Sequence, residues 1–105
     1  MIVTFEKDYL CDLYETGKTA DKKHRFQPEV IRKYKQCINL MCRVPDTNAL
    51  AKYNGLNFEN LQGDKEGISS IRVNLKYRIE FTVVDNGVEP VVYICNIIEL
   101  SNHYK

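Results

Sequence analysis

The stretch "SSIRVNLKYRIEF", residues 69–81, alternates apolar and polar side chains on both sides of a short turn. Such alternation is typical of a β-strand that buries one of its faces. Two alternating runs joined by a few residues predict a β-hairpin. The apolar side of this hairpin would consist of Ile71, Val73, Tyr77, Ile79 and Phe81.

The length of the turn fixes which residues face each other across the hairpin. Pairing Val73 with Tyr77 leaves a three-residue loop, a common hairpin length, and keeps the apolar residues on one face. A two-residue loop that pairs Asn74 with Tyr77 would turn one strand over and place an arginine against an apolar residue. The register that builds a core therefore sets Arg72 directly across from Arg78.

Two arginines at opposed positions need an explanation, because like charges across an antiparallel pair are destabilising. One alternative is that Glu80, on the same face, neutralises one arginine in an ordinary surface network. The other is that Arg72 and Arg78 hold a phosphate, which guanidinium groups bind with charge-assisted, often bidentate hydrogen bonds. The second alternative predicts that removing either arginine leaves thermal stability unchanged or slightly raised.

Length and composition indicate a small globular protein. The 105 residues have the size of one domain, residues 1–105, with 44% hydrophobic and 28% charged residues. No apolar run has the length of a transmembrane helix, and the start has no signal-peptide pattern, so we expect a cytoplasmic protein without membrane contact. Four cysteines without a CxxC pair predict reduced thiols, and the two histidines complete no metal site. We therefore expect neither a metal nor a cofactor.

The positive charge is concentrated in residues 18–43, which carry eight Lys or Arg residues against two acidic ones. Lys22, Lys23 and Arg25 form the densest part of this segment, and His24 lies among them. Such a segment can attract nucleic acid. It is equally compatible with a solvated helix face or with a docking surface for an acidic protein.

The remaining elements follow from periodicity and from glycine and proline positions. Residues 7–16 carry a helical apolar stripe that Gly17 would end, and Pro28 would begin a second helix that stops before Pro45. Residues 46–60 predict a turn or one helical turn, followed by irregular chain. We expect strands near residues 1–5, 69–75, 77–84 and 91–99, and a short one near 58–63. The predicted class is α+β, with an N-terminal strand and two helices packed on one face of a mainly antiparallel twisted sheet whose Arg72/Arg78 side faces outward.

Three segments together resemble a known family. They are "LYETG" (13–17), the helix begun by Pro28, and "LQGDKEGISSIRVNLKYRIEF" (61–81). The last is similar to a signature of Leu-x-Gly-Asp, a glycine, Ile-Arg-Val-Asn and Tyr-Arg-Ile-x-Phe. The chain thus resembles, over nearly its whole length, the RelE/HigB-like toxins of bacterial type II toxin–antitoxin modules. The resemblance implies a RelE-like fold.

The resemblance also implies an activity and partners. Members of the family are ribosome-dependent endoribonucleases (mRNA interferases) that cut messenger RNA in the ribosomal A site without a metal. The 2′-OH attacks the adjacent phosphorus, and cations stabilise the charge that develops on the phosphoryl oxygens. The expected partners are the ribosome, messenger RNA and a cognate antitoxin of the HigA helix-turn-helix type, with DNA contacted only through that antitoxin.

By this resemblance, Arg72 and Arg78 are the expected catalytic cations. His103 is the expected general acid or base, because histidine titrates near neutral pH, and Tyr104 would orient the substrate or stack on a base. Family members often end with an acid-tyrosine-histidine run. Here the order is Asn102-His103-Tyr104, so their roles cannot be transferred one by one.

A second departure precedes the Gly-Asp motif, where family members often carry a histidine and a lysine. This chain has Glu59 and Gln62 there. Either Glu59 serves as the base, or Lys65 supplies the missing cation and an RNA contact; if neither compensates, cleavage is slow or absent. Two rivals to the toxin interpretation stay open: a non-enzymatic module that binds an antitoxin, and a general RNA-binding protein acting through residues 18–43.

Overall fold

The computed structural model describes residues 1–102. In this part of the chain, a five-stranded sheet is covered by helices on one face, which confirms the α+β prediction. The sheet order is β1-β5-β4-β3-β2; β1 runs parallel to β5 and the other pairs are antiparallel. The helices are α1 (Asp8–Glu15), α2 (Pro28–Arg43) and α3 (Thr47–Ala51), and the strands are β1 (Ile2–Phe5), β2 (Glu59–Asn60), β3 (Ser69–Arg72), β4 (Arg78–Asp85) and β5 (Tyr93–Ser101).

The first two helices begin and end where the sequence predicts. Gly17 follows α1 at φ +76°, a conformation that glycine adopts without a steric penalty, and its N–H donates to the Leu13 carbonyl at 3.1 Å. Pro28 occupies the first turn of α2, and the helix ends at Arg43, before Pro45. Their buried faces consist of Tyr9, Leu10 and Leu13 on α1 and Val30, Tyr34, Cys37, Ile38 and Met41 on α2.

The hairpin has the predicted register. Arg72 pairs with Arg78, and the Val73 N–H donates to the Tyr77 carbonyl at 2.9 Å. The Asn74 side chain closes the loop, because its Oδ1 accepts the Tyr77 N–H at 2.8 Å and also that of Lys76 at 2.9 Å. An asparagine oxygen that accepts main-chain N–H groups two and three residues onward is a common way to stabilise a turn. The turn thus fixes the register in which Arg72 lies across from Arg78.

Residues 46–60 begin with the short helix α3, Thr47–Ala51, where the sequence allowed for one helical turn. Asp46 caps α3, since its Oδ1 accepts the Ala49 N–H at 2.9 Å, and Leu50 is fully buried. The expected strand near 58–63 is reduced to the two residues of β2, which pair with Ser69 and Ser70. The cap and the buried leucine together stabilise a short helix in a segment that lacks a long periodic pattern.

The side of the hairpin that carries the arginines does not face solvent throughout, which corrects the sequence expectation. Arg78 is only 5% exposed and Glu80 only 2%. The physical reason is that the chain between α3 and β3 returns over this face: Asn57 contacts Arg78, and Lys65 contacts Glu80. The sheet is therefore packed against helices on one side and partly covered by irregular chain on the other.

None of the helices within residues 1–102 is long and apolar enough to cross a bilayer.

Candidate active site

A polar face lies on the sheet side opposite the helices, where β3, β4 and β5 are adjacent. Arg78 occupies its centre, between Arg72 on β3 and Ser101 on β5. We use the term polar face for Ser70, Arg72, Arg78, Glu80, Glu99 and Ser101. It brings both arginines predicted from the sequence to the same place.

Arg78 is held from several directions by oxygen atoms. Its Nε donates to the Ser70 Oγ at 2.9 Å, and its Nη2 donates to the Ser70 carbonyl at 3.2 Å and to the Asn57 carbonyl. The Glu59 Oε2 lies 4.0 Å from the same Nη2. Hydrogen bonds from a charged donor are stronger than neutral ones, and a buried charge needs them. These contacts fix the position of the guanidinium.

Arg72 is half-buried and reaches the same residue that receives Arg78. In the orientation of the Asn57 amide that satisfies both of its ends, the amide oxygen accepts from the Arg72 Nη2 at 2.7 Å and from its Nη1 at 3.2 Å. The amide nitrogen then donates to the Asn54 carbonyl at 3.1 Å. Asn57 thus binds Arg78 through its carbonyl and Arg72 through its side chain.

Asn57 was not identified from the sequence. Its backbone is left-handed, with φ 44° and ψ 56°, a conformation that asparagine adopts more readily than most residues other than glycine. This conformation is what ends the short 3₁₀ turn at Asn54–Leu56. The only signal in the sequence is the presence of an asparagine in an irregular segment, and that signal names no partner.

Lys65 and Glu59, the two candidates to replace the family's usual basic residues, both reach the polar face. The Lys65 Nζ lies 2.7 Å from the Glu80 Oε2, and the Glu80 side chain is almost completely buried. Glu59 is exposed and approaches Arg78. Glu80 therefore pairs with a lysine that precedes β3, a partner that neither alternative for the arginine pair included.

The basic loop is anchored to α1. His24 stacks on Tyr9 with ring centroids 3.7 Å apart and an angle of 9° between the rings, and its Nδ1 lies 2.7 Å from the Asp21 Oδ2. The Tyr9 hydroxyl accepts the Leu100 N–H at 3.2 Å. Burial raises the pKa of Tyr9 to about 12, so its hydroxyl is neutral at physiological pH. His24 is therefore a half-buried anchor of the loop.

The other end of the basic loop contacts the hairpin. Phe26 packs edge-on against Tyr77, the residue before Arg78, with centroids 5.3 Å apart. Lys22, Lys23 and Arg25 are exposed between these two anchors. Within residues 1–102, no hydrogen bond or ion pair joins these three cations to the arginine pair. They are not part of the polar face.

His103 and Tyr104 lie outside the described residues, so their predicted roles stay predictions. Of the cysteines, Cys37 and Cys95 are buried, and burial raises their thiol pKa values to about 11 and about 12. Cys42 is exposed. Residues 1–102 contain no cluster of three or more histidine, cysteine or acidic residues that could hold a metal ion.

Comparison with protein families identifies the chain. A family model described as the RelE-like toxin of the type II toxin–antitoxin system HigB matches residues 3–95, which is most of the sequence. The chain belongs to the HigB-like toxin family. This HigB-like chain is accordingly a type II toxin, and a type II toxin has an antitoxin as its partner.

A solved structure supports the fold. A YoeB/ParE toxin from Agrobacterium tumefaciens superposes with a TM-score of 0.55 over 99% of this chain and 100% of its own, at 23% identity. At that identity the similarity extends to the fold alone. No curated protein matches the sequence significantly.

Proposed function

We propose that this HigB-like toxin is a ribosome-dependent endoribonuclease that cleaves messenger RNA in the A site by attack of the 2′-OH on the adjacent phosphorus. The observation that supports this most strongly is the opposition of Arg72 and Arg78 at the centre of the polar face. Two positioned guanidiniums match the negative charge that builds on the phosphoryl oxygens in the transition state. No metal is required for this route in our proposal.

The two arginines would contribute differently. Arg72 is half-buried and would contact the phosphate directly, while Arg78 is buried and would supply a fixed positive charge behind it. Preorganised charges of this kind stabilise a transition state without the cost of reorienting during the reaction. Asn57 would be a positioning residue, because it holds both guanidiniums.

Proton transfer needs further groups. We assign His103 as general acid or base and Tyr104 as a residue that orients or stacks on a base of the RNA. Chains that end at Ser101, the last residue of β5, test both assignments at once. We expect such chains to melt like the intact toxin and to lose cleavage. Unimpaired cleavage after this truncation would rule out both roles.

The proposed partners are a HigA-like helix-turn-helix antitoxin, the ribosome and messenger RNA, in the cytoplasm. DNA would be contacted only through the antitoxin. Lys65, Lys22, Lys23 and Arg25 are the proposed RNA contacts outside the arginine pair.

The deciding experiment is inducible expression in bacteria with and without the adjacent reading frame, followed by primer extension on total RNA. We expect growth arrest and cuts within translated messages without the adjacent frame, and neither with it. Purified protein should cut message on ribosomes and leave the same message intact in their absence. Growth arrest without any cleaved message would contradict the proposed activity.

A second candidate function has one observation in its favour. Arg78 is bound to three protein oxygens and Lys65 to Glu80, so part of the positive charge is already neutralised by the protein. A toxin-fold module that binds its antitoxin or RNA and cleaves weakly would have this arrangement. The same primer-extension experiment separates the two functions.

A further inference from the structure

A groove of about 500 Å³ runs between α2 and the short turn at Asn54–Leu56. Lys33 and Arg43 lie on its α2 side, and Tyr53 lies at the opposite side. Arg72 is also part of its wall. The groove is therefore continuous with the arginine pair, although it opens beside α2.

The lining of this groove is positive. Lys33, Arg43 and Arg72 are among its lining residues, and within residues 1–102 no acidic residue is. None of the three forms an ion pair with a carboxylate in the part of the chain that the structure describes. At the floor, the Cys37 thiol donates to the Arg72 carbonyl at 3.9 Å and remains neutral, because burial raises its pKa to about 11. No lining residue in the described part of the chain therefore offsets the three positive charges.

The groove also has an exposed aromatic ring. Tyr53 is 49% exposed, although it is among the largest apolar side chains of the protein. Leu40 and Leu56 complete the apolar part of the lining. Cations that bind phosphates, combined with an aromatic face on which a base can stack, are how proteins bind single-stranded RNA.

We propose that this groove binds a single-stranded segment of the messenger next to the cleaved bond, with phosphates at Lys33 and Arg43 and a base stacked on Tyr53. The proposal rests on the proposed endoribonuclease function. Because Arg72 belongs to both the arginine pair and the groove, a strand whose scissile phosphate contacts Arg72 continues directly into the groove. An acidic peptide would bind the cations but would supply no base to stack on Tyr53.

The matched variants come from one helix. Lys33→Gln/Arg43→Gln removes two positive charges from the groove side of α2. Arg32→Gln/Lys35→Gln removes two positive charges from the same helix at a different depression, one that Pro28 and Ile31 also line. Tyr53→Ala removes the aromatic ring without a change of charge. Melting curves establish that each variant folds; if one double variant fails to fold, Tyr53→Ala alone carries the test.

The first measurement is fluorescence anisotropy with a short fluorescein-labelled 2′-O-methyl oligoribonucleotide, which cannot be cleaved. We expect Lys33→Gln/Arg43→Gln to weaken binding and to reduce the slope of log K against log salt by about 0.7 for each phosphate that the protein no longer neutralises. Tyr53→Ala should weaken binding about tenfold with an unchanged slope. For the control, Arg32→Gln/Lys35→Gln, the slope of log K against log salt should stay close to the wild-type value. Its affinity should fall only slightly, because the net charge is lower.

The results that would overturn the proposal are specific. Equal affinities and slopes for the groove and control variants would exclude an RNA site in the groove. So would stronger binding of a glutamate-rich peptide than of RNA, if that binding disappears in the groove variant. Reduced binding to ribosomes that carry no message would assign the groove to ribosomal RNA and would also contradict the proposal.

The proposed activity and the groove can fail separately. If the wild-type toxin does not cleave message on ribosomes, the endoribonuclease proposal fails, while the oligonucleotide measurements still decide whether the groove binds RNA. If the wild type cleaves and the groove variants cleave with the wild-type KM and kcat, the groove proposal fails and the activity stands. We expect a raised KM in the groove variants and no such change in the control.

Discussion

Arg72 lies directly across from Arg78 on adjacent strands, and both guanidiniums donate to Asn57. Repulsion between two opposed like charges would otherwise destabilise the hairpin. Here each guanidinium faces oxygen atoms that belong to the protein, and the Glu59 carboxylate approaches Arg78. The pair is therefore already accommodated in the protein alone, so its presence does not require a bound phosphate for stability.

The two arginines should differ in their effect on stability. Arg78→Ala would remove the donor to the buried Ser70 oxygens and to the partly buried Asn57 carbonyl, which we expect to cost about 2–4 kcal/mol. Arg72→Ala removes a half-buried side chain and should change stability by less than about 1 kcal/mol. Urea denaturation measures both. Under the proposed function, both variants lose about 10²–10³-fold in cleavage.

This expectation revises, for Arg78, the prediction from sequence that either removal is neutral or stabilising. A matched control is Arg78→Lys, which keeps the charge but not the planar fork of donors. We expect it to recover only part of the stability that the alanine variant forfeits. Equal stabilities for the two alanine variants would mean that the oxygens around Arg78 are satisfied in another way.

Substitutions at Asn57 test the role of its left-handed backbone and of its side chain, which together bind both arginines. Asn57→Gly adopts φ 44° without strain and keeps the carbonyl that receives Arg78. Asn57→Ala keeps the same carbonyl but should be less stable than the glycine variant by about 1–2 kcal/mol, since alanine is disfavoured in this conformation. Thermal melting compares them. Both lack the amide that holds Arg72, so their cleavage rates should fall by similar factors.

The hairpin was predictable because its information is local. Alternation with a period of two residues, a loop of common length and the need to bury one face together leave a single register, and Gly17 and Pro28 delimit the helices in the same local way. The pairing of two strands that are distant in sequence cannot be predicted from local patterns. No feature of residues 1–5 specifies that β1 lies parallel to β5.

The candidate site was predictable only in part. The arginine pair follows from the register, but its burial does not, because it depends on irregular chain that returns over the sheet. Asn57 and Lys65 make their contacts across distances of 21 and 15 positions in sequence, without any periodicity to indicate them. The groove is even less accessible to sequence reasoning, since Lys33, Tyr53 and Arg72 belong to three separate segments.

The contact between Asp21 and His24 should make stability depend on pH at the acidic end. The hydrogen bond from His24, and then that from the Lys23 N–H, hold the pKa of Asp21 below its usual value. A lowered folded-state pKa gives a stabilisation that is present above the unfolded value, about 3.9, and is lost as pH falls through the folded value. The difference in Tm between wild type and Asp21→Asn should therefore exist at pH 5–6 and close at lower pH.

The control for this measurement is Asp64→Asn. Asp64 is exposed and makes no ion pair within the described residues, so its substitution should give a nearly constant Tm difference over the same pH range. A wild-type and Asp21→Asn difference that widens below pH 4 would contradict the expected sign.

The exposed cations of the basic loop should speed association with an acidic antitoxin. Replacing Lys22, Lys23 and Arg25 together by glutamine should slow complex formation about tenfold at low salt and flatten its salt dependence, because complementary charge mainly raises association rates. Stopped-flow mixing of the free toxin with the separately purified antitoxin measures the association rate. Lys52→Gln/Lys76→Gln, outside the loop, is the control, and an unchanged rate for the loop variant would exclude this docking surface.

Glu59 and Lys65 can be distinguished by how cleavage depends on pH. Glu59 is exposed next to Arg78, whereas Lys65 is engaged by the buried Glu80. If Glu59 is the base, Glu59→Gln should lower cleavage about 10²-fold or more and remove the acidic limb of the pH–rate profile. If Lys65 acts through charge, Lys65→Gln should lower the rate equally at all pH values. Because proton transfer is assigned to His103 and an RNA contact to Lys65, we expect the second result. Lys65→Gln should also lose stability that Lys65→Gln/Glu80→Gln partly restores, because the double variant leaves no buried carboxylate without its lysine. Loss of the acidic limb in Glu59→Gln, together with a wild-type cleavage rate in Lys65→Gln, would instead assign the base to Glu59.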